Sequence, residues 1–149
     1  MNAIAIASDH GGYALKSVLV EALTRWAIPY EDLGTHSEAS CDYPDYAHSL
    51  ARGIADGRFE RGVLICGTGL GMSMAANRHH HVRAAVVSDT YSARMAREHN
   101  NANVLCMGER VVGPGLALDI LRIWLDTQPD TSDRHARRVA KLNPSDPAP

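Results

Sequence analysis

Apolar runs alternate with helical stripes along the whole chain. "AIAIA" (3–7) is short and continuously apolar, the pattern of a strand buried on both faces. It leads through "SDHGG" into a segment with Leu15, Val18, Leu19, Ala22, Leu23 and Trp26 at helical spacing. "IPYEDL" (28–33) reads as a second strand, weakened by Pro29. The polar stretch "GTHSEASCDYP" follows, and Tyr46, Leu50 and Ile54 open the next helical stripe. "GVLIC" (62–66), "RAAVVS" (83–88) and "ANVLCM" (102–107) predict three more strands, with helices at 70–78, 91–99 and 114–126.

Strand–helix alternation of this kind calls for a parallel sheet with helices on both faces. Because crossovers are right-handed, the expected fold is α/β, a doubly wound three-layer α/β/α sandwich on a five-stranded sheet. No linker or repeat divides residues 1–149, so one domain is expected, with "NPSDPAP" (143–149) as a frayed tail. In such sheets ligands bind beyond the carboxyl ends of the strands. The residues there are Ser8-Asp9-His10-Gly11-Gly12, Cys66-Gly67-Thr68-Gly69, Ser88-Asp89 and Gly108-Glu109-Arg110. They form a dense set of polar groups and glycines.

The turn "CGTGLGM" (66–72) allows three chemical readings. A dinucleotide fingerprint needs a third glycine where Met72 stands, although Asp89 lies near the distance expected of a ribose-binding acid. A thiol phosphatase needs an arginine six positions after its cysteine, and that position is again Met72. The third is an anion pocket, with backbone N–H groups of 68–72 gathered at a helix start. Such donors favour thiolate over thiol, whose ordinary pKa is ~8.5. A thiolate beside an oxyanion nest suits proton transfer on carbon next to a carbonyl. Cys66 could equally be a small buried hydrophobe, and the residues alone leave both open.

Composition narrows the field. Hydrophobic residues make up 45% of the 149 and charged residues 21%, as in an ordinary globular protein. A net charge of −2 argues against a general nucleic-acid binder. No apolar run nears the ~20 residues of a membrane span, and the N-terminus has no basic leader, so a cytoplasmic protein is expected. Three cysteines without C-x-x-C spacing suggest neither a disulfide framework nor a zinc site. "HHH" (79–81) places adjacent side chains on diverging directions, which suits a solvated loop better than a metal site.

"ASDHGGYALK" (7–16), "DYPDYA" (42–47), "GVLICGTGLGMSMAANR" (62–78), "AREHNNANVLCMGERVVG" (96–113) and "RHARRV" (134–139) resemble ribose-5-phosphate isomerase type B and its relative galactose-6-phosphate isomerase. The similarity runs in order over nearly the whole chain. It implies a strand order of 2-1-3-5-4 and interconversion of an aldose phosphate with a ketose phosphate through a cis-enediolate, without metal or cofactor. Cys66 is then the base, and Thr68 with the following amides steadies the enediolate. A second branch of the family carries a glutamate where this chain has Met72, so the chain resembles the cysteine branch.

The resemblance further implies that His99, working with Asp9, opens the sugar ring. Each has a structural reading too: Asp9 as an N-cap for the amides at 11 or 12, and His99 at a helix C-terminus. Tyr43, Asn100 and the glycines 67, 69 and 71 line the sugar site by resemblance. His10, Arg110, Arg134 and Arg138 take the phosphate. Arg134 and Arg138, spaced i,i+4, share a helix face. In the family the C-terminal segment, here about 130–142, crosses to a second subunit. A homodimer, or a dimer of such dimers, with shared sites is therefore expected. The leading substrate is ribose 5-phosphate, with a hexose 6-phosphate or tetrose 4-phosphate as alternatives. A non-catalytic sugar-phosphate or nucleotide sensor would need the arginines but not the thiol. Cys41 and Cys106 receive no role.

Overall fold

Every residue of three strands is buried: β1 (Ile4–Ser8), β3 (Gly62–Cys66) and β5 (Val104–Gly108). Their continuous apolar character is thus explained by cover on both faces. The computed structural model describes residues 3–143. β2 (Tyr30–Asp32) and β4 (Ala84–Val86) complete a parallel sheet of order β2-β1-β3-β5-β4. Both edge strands are shorter than the sequence pattern predicts. Of the tail expected at 143–149, all but Asn143 lies outside the described residues.

α1 (Tyr13–Arg25), α4 (Thr90–Glu98) and α5 (Pro114–Asp126) pack on one face, around Leu19, Leu23, Ile120 and Trp124. α2 (Tyr43–Ala55) and α3 (Leu70–Ala76) cover the other, around Leu50, Ile54, Leu64 and Met72. The chain therefore leaves β1 toward one face and leaves its neighbour β3 toward the opposite face. Between the two exits a crevice opens, the switch point where doubly wound sheets hold ligands. α2 starts three residues earlier than its apolar stripe, because Pro44 sits in the first turn, where its missing N–H costs nothing. A last helix, α6 (Asp133–Ala140), buries His135 alone among its residues.

Two polar contacts brace this frame. Lys16, fully buried on α1, donates from Nζ to Asp32 Oδ1 and to the Thr35 carbonyl, both at 2.6 Å. It ties α1 to the loop after β2 on the crevice side. Lys16→Met strands Asp32 without its cation, and urea unfolding is expected to show a loss of about 3 kcal/mol, the low end for a broken buried pair because Asp32 stays partly hydrated. The second contact lies in the loop predicted at 79–81, where His80 and His81 are exposed as expected but His79 is not. His79 is half-buried, and its Nε2 lies 2.7 Å from Nδ1 of His48 on α2. Burial first, then His48 and Arg52, hold the His79 imidazole below its ordinary pKa.

Candidate active site

Cys66 ends β3 and is 5% exposed. The chain then turns through Gly67 and Thr68 to Gly69, whose φ of +80° is left-handed backbone that glycine adopts without strain. A Cβ there would also come within 3.0 Å of the Met107 carbonyl carbon. This turn folds the chain back on the cysteine, so that the Gly69 N–H donates to Cys66 Sγ at 3.1 Å. The Leu70 N–H donates to Thr68 Oγ1 at 3.3 Å. Two of the amides expected to face the crevice are therefore spent on the cysteine and threonine side chains. Those of Gly71 and Met72 sit in the first turn of α3, where a helix has no carbonyl to offer them. Met72 itself is fully buried in the core against α2.

The neighbouring strand ends close around this turn. Asp9 is 7% exposed and accepts from the Gly12 N–H at 3.1 Å, the capping role expected of it. A Cβ on Gly11 would stand 3.4 Å from the Gly67 nitrogen, so the β1 and β3 turns are in contact. At β5, Gly108 lets the chain pass against Thr68, where a Cβ would meet Thr68 Cα at 2.5 Å. The Arg110 N–H donates to the Gly67 carbonyl at 3.0 Å, and the Arg110 side chain lies along Gly67. Glu109 turns away and accepts from the Leu15 N–H at 2.5 Å, fixing this loop to the start of α1. The Tyr43 ring lies on Gly71. Cys41, which received no role from sequence, donates its backbone N–H to His10 Nδ1 at 3.2 Å. With Nδ1 accepting, His10 presents Nε2–H as a donor.

Asp9, His10, Tyr43, Cys66, Gly67, Thr68, Gly69, Gly71 and Arg110 thus share one edge of the sheet. His99 and Asn100 do not. His99 caps the C-terminus of α4, which returns the chain to the start of β5. β5 runs in register with β3 from Gly62↔Val104 to Cys66↔Gly108, and four steps at ~3.3 Å separate the two edges by about 13 Å. The His99 ring stacks on His135 of α6, with centroids 4.6 Å apart and planes at 14°. Arg134 and Arg138 are exposed on α6 beside that stack. The predicted residues therefore fall into two groups at opposite edges of one chain.

The profile of the ribose/galactose isomerase family matches residues 4–142. The chain belongs to this family. It is 45% identical over 142 residues to ribose-5-phosphate isomerase B of Escherichia coli, covering 95% of each chain. It is 42% identical over 129 residues to a D-erythrulose-4-phosphate isomerase of Pectobacterium atrosepticum, covering 86% of this chain and 85% of the other. The solved structure of ribose-5-phosphate isomerase B from Clostridium thermocellum superimposes with a TM-score of 0.91 at 50% identity, over 93% of each chain.

The segment "EHNNANVL" shows how this ribose/galactose isomerase builds its second edge. Asn101 adopts a left-handed φ of 45°, and its Oδ1 accepts from Arg97 at 3.0 Å. Asn103 accepts from the Arg83 N–H at 2.7 Å and donates to the His81 carbonyl at 2.6 Å. These two asparagines shape the loop that presents His99 and Asn100. Sequence reasoning passed over them, although asparagine beside a helix end is a signal for left-handed backbone.

Proposed function

We propose that the chain interconverts ribose 5-phosphate and ribulose 5-phosphate by ring opening and a cis-enediolate, with Cys66 as the base, as a cytoplasmic homodimer. The observation that carries this reading is the Gly69 N–H on Cys66 Sγ, set at the switch point with Thr68 and Asp9 alongside. The Gly69 N–H holds the sulfur in place at the crevice, where it takes a proton from C2 of the aldose and returns it to C1. Thr68 Oγ1 already accepts from Leu70, so its hydroxyl is left to donate to the enediolate. The Gly71 and Met72 amides supply further donors. His10, through Nε2–H, and Arg110 take the phosphate on the same edge. Cys106, held protonated by burial and then by the nearby Cys66, takes no part.

The two-edge arrangement supports a site completed by a partner subunit, with His99 acting on the ring oxygen and Arg134 and Arg138 reaching the phosphate. Exposed Leu70 and Met74 on α3, Val86 on β4 and Tyr91 on α4 lie on adjoining elements and suit a subunit interface. The three free cysteines are consistent with a reducing compartment.

The Pectobacterium relative makes a tetrose 4-phosphate the second reading. The deciding experiment compares kcat/KM for pentose, hexose and tetrose phosphates with one preparation. Ribose 5-phosphate is expected to lead by about tenfold or more, the discrimination available from one or two sugar carbons with their hydroxyls. A tetrose phosphate in the lead overturns the substrate, and binding without turnover of any sugar overturns the enzyme in favour of a sensor.

A further inference from the structure

At the edge of the sheet remote from Cys66, a cleft of about 260 Å³ is lined by Glu60, Arg61, Arg83, Arg97, Asn101 and Gln128 among others. Arg61 directly precedes β3 and Arg83 directly precedes β4, the two strands flanking β5. Arg97 comes from the last turn of α4 and is 7% exposed. Their hydrogen bonds run largely to neutral acceptors. Arg61 donates to the Leu125 carbonyl at 2.9 Å and Arg83 Nε to the Asn101 carbonyl at 2.8 Å. Arg97 donates to the Ala102 carbonyl at 2.7 Å and to Asn101 Oδ1 at 3.0 Å.

Carbonyl oxygens satisfy N–H groups without cancelling charge. Three guanidinium cations line the cleft against one carboxylate, that of Glu60. Burial, followed by the charges of Arg61 and Arg83, pushes Arg97 down to about 10, so Arg97 senses both of its cationic neighbours. All remain charged at neutral pH, since guanidinium holds its proton there. Arg61 is further influenced by Glu60 and Asp126, which offset part of its burial. A multiply charged anion relieves this crowding, and planar guanidinium forks match tetrahedral phosphate oxygens better than any other side chain does. Asn101 and Gln128 add amide groups able to contact the uncharged remainder of such a ligand.

We propose that this cleft is a second anion site, binding a small phosphorylated molecule through its phosphate, separate from the sugar site at Cys66. The test is a titration of the full-length protein with pyrophosphate, followed by amide NMR signals. The expected result is saturable movement of the Glu60 and Gln128 signals. Their apparent affinity should fall on the order of tenfold in Arg61→Gln, which removes one charged donor, and return in Arg61→Lys. Shifts confined to Gly67–Gly71, His99, Asn100 and Arg110 would overturn the proposal, as would cleft binding that Arg61→Gln leaves unchanged. The location of the shifts decides the matter on the unsubstituted chain even where Arg61→Gln fails to fold. Loss of activity in the substrate panel would not touch this site, so the two readings fail separately.

Discussion

Cys66→Ala is expected to lower kcat by about 10³-fold, within the range a positioned base contributes, while ribose 5-phosphate still binds within a few-fold of its original affinity. The asymmetry follows from what the sulfur touches. Among the described residues its one hydrogen-bond partner is the Gly69 N–H, and its neighbours are core residues of the β3–α3 side, not the groups proposed to hold phosphate. Removing it leaves His10, Arg110 and Thr68 in place. Cys66→Ser sharpens the test. Serine offers Gly69 an oxygen acceptor and preserves the turn, but its hydroxyl does not ionise near neutral pH and is a far weaker base than a thiolate. It should be nearly as inactive as the alanine variant. Steady-state rates on both variants, with urea unfolding as a fold control, check the expectation. Near-full turnover in either removes the cysteine from the mechanism.

The hydrophobic pattern carried most of the fold because β1, β3 and β5 are covered on both faces, which leaves no polar alternation to blur them. α5 falls where its stripe places it, at 114–126. The edge strands β2 and β4 were overestimated, since an edge strand pairs on one side only and its apolar residues continue into loops. Half of the candidate site was legible on the same grounds: strand ends collect at one edge, where Cys66 ends β3 and Asp9, Thr68 and Arg110 come within two residues of a strand end. His99 and Asn100 follow a helix. A helix between parallel strands runs back to the opposite edge, so their place in the sequence already put them away from Cys66. The grouping of His99 with Asp9 came from resemblance, which sent the C-terminal segment to a second subunit but left the subunit of His99 open. Nor does periodicity reach contacts such as the Cys41 N–H on His10, which depends on how the loop after β2 lies over the β1 turn.

That division of residues leads to the other large effect. Cys66→Ala and His99→Asn, prepared separately, should each be inactive as homodimers. Mixed under conditions that exchange subunits, random pairing makes half of the dimers hybrids. If one chain supplies Cys66 and its partner supplies His99, each hybrid carries one site with both defects and one site with neither, so about a quarter of the original activity should return. Were both residues drawn from the same chain, every site in every hybrid would hold one defect and no activity would return. The geometry favours return, because β5 keeps the two edges about 13 Å apart, farther than any side-chain rearrangement spans. Arg134→Ala/Arg138→Ala should complement Cys66→Ala as well, since those arginines lie on α6 beside the His99–His135 stack. It should not complement His99→Asn, because those defects lie on the same half and no hybrid site escapes both. Recovery with the wrong pair, or failure with the right one despite hybrids confirmed by native mass spectrometry, would refute the shared site.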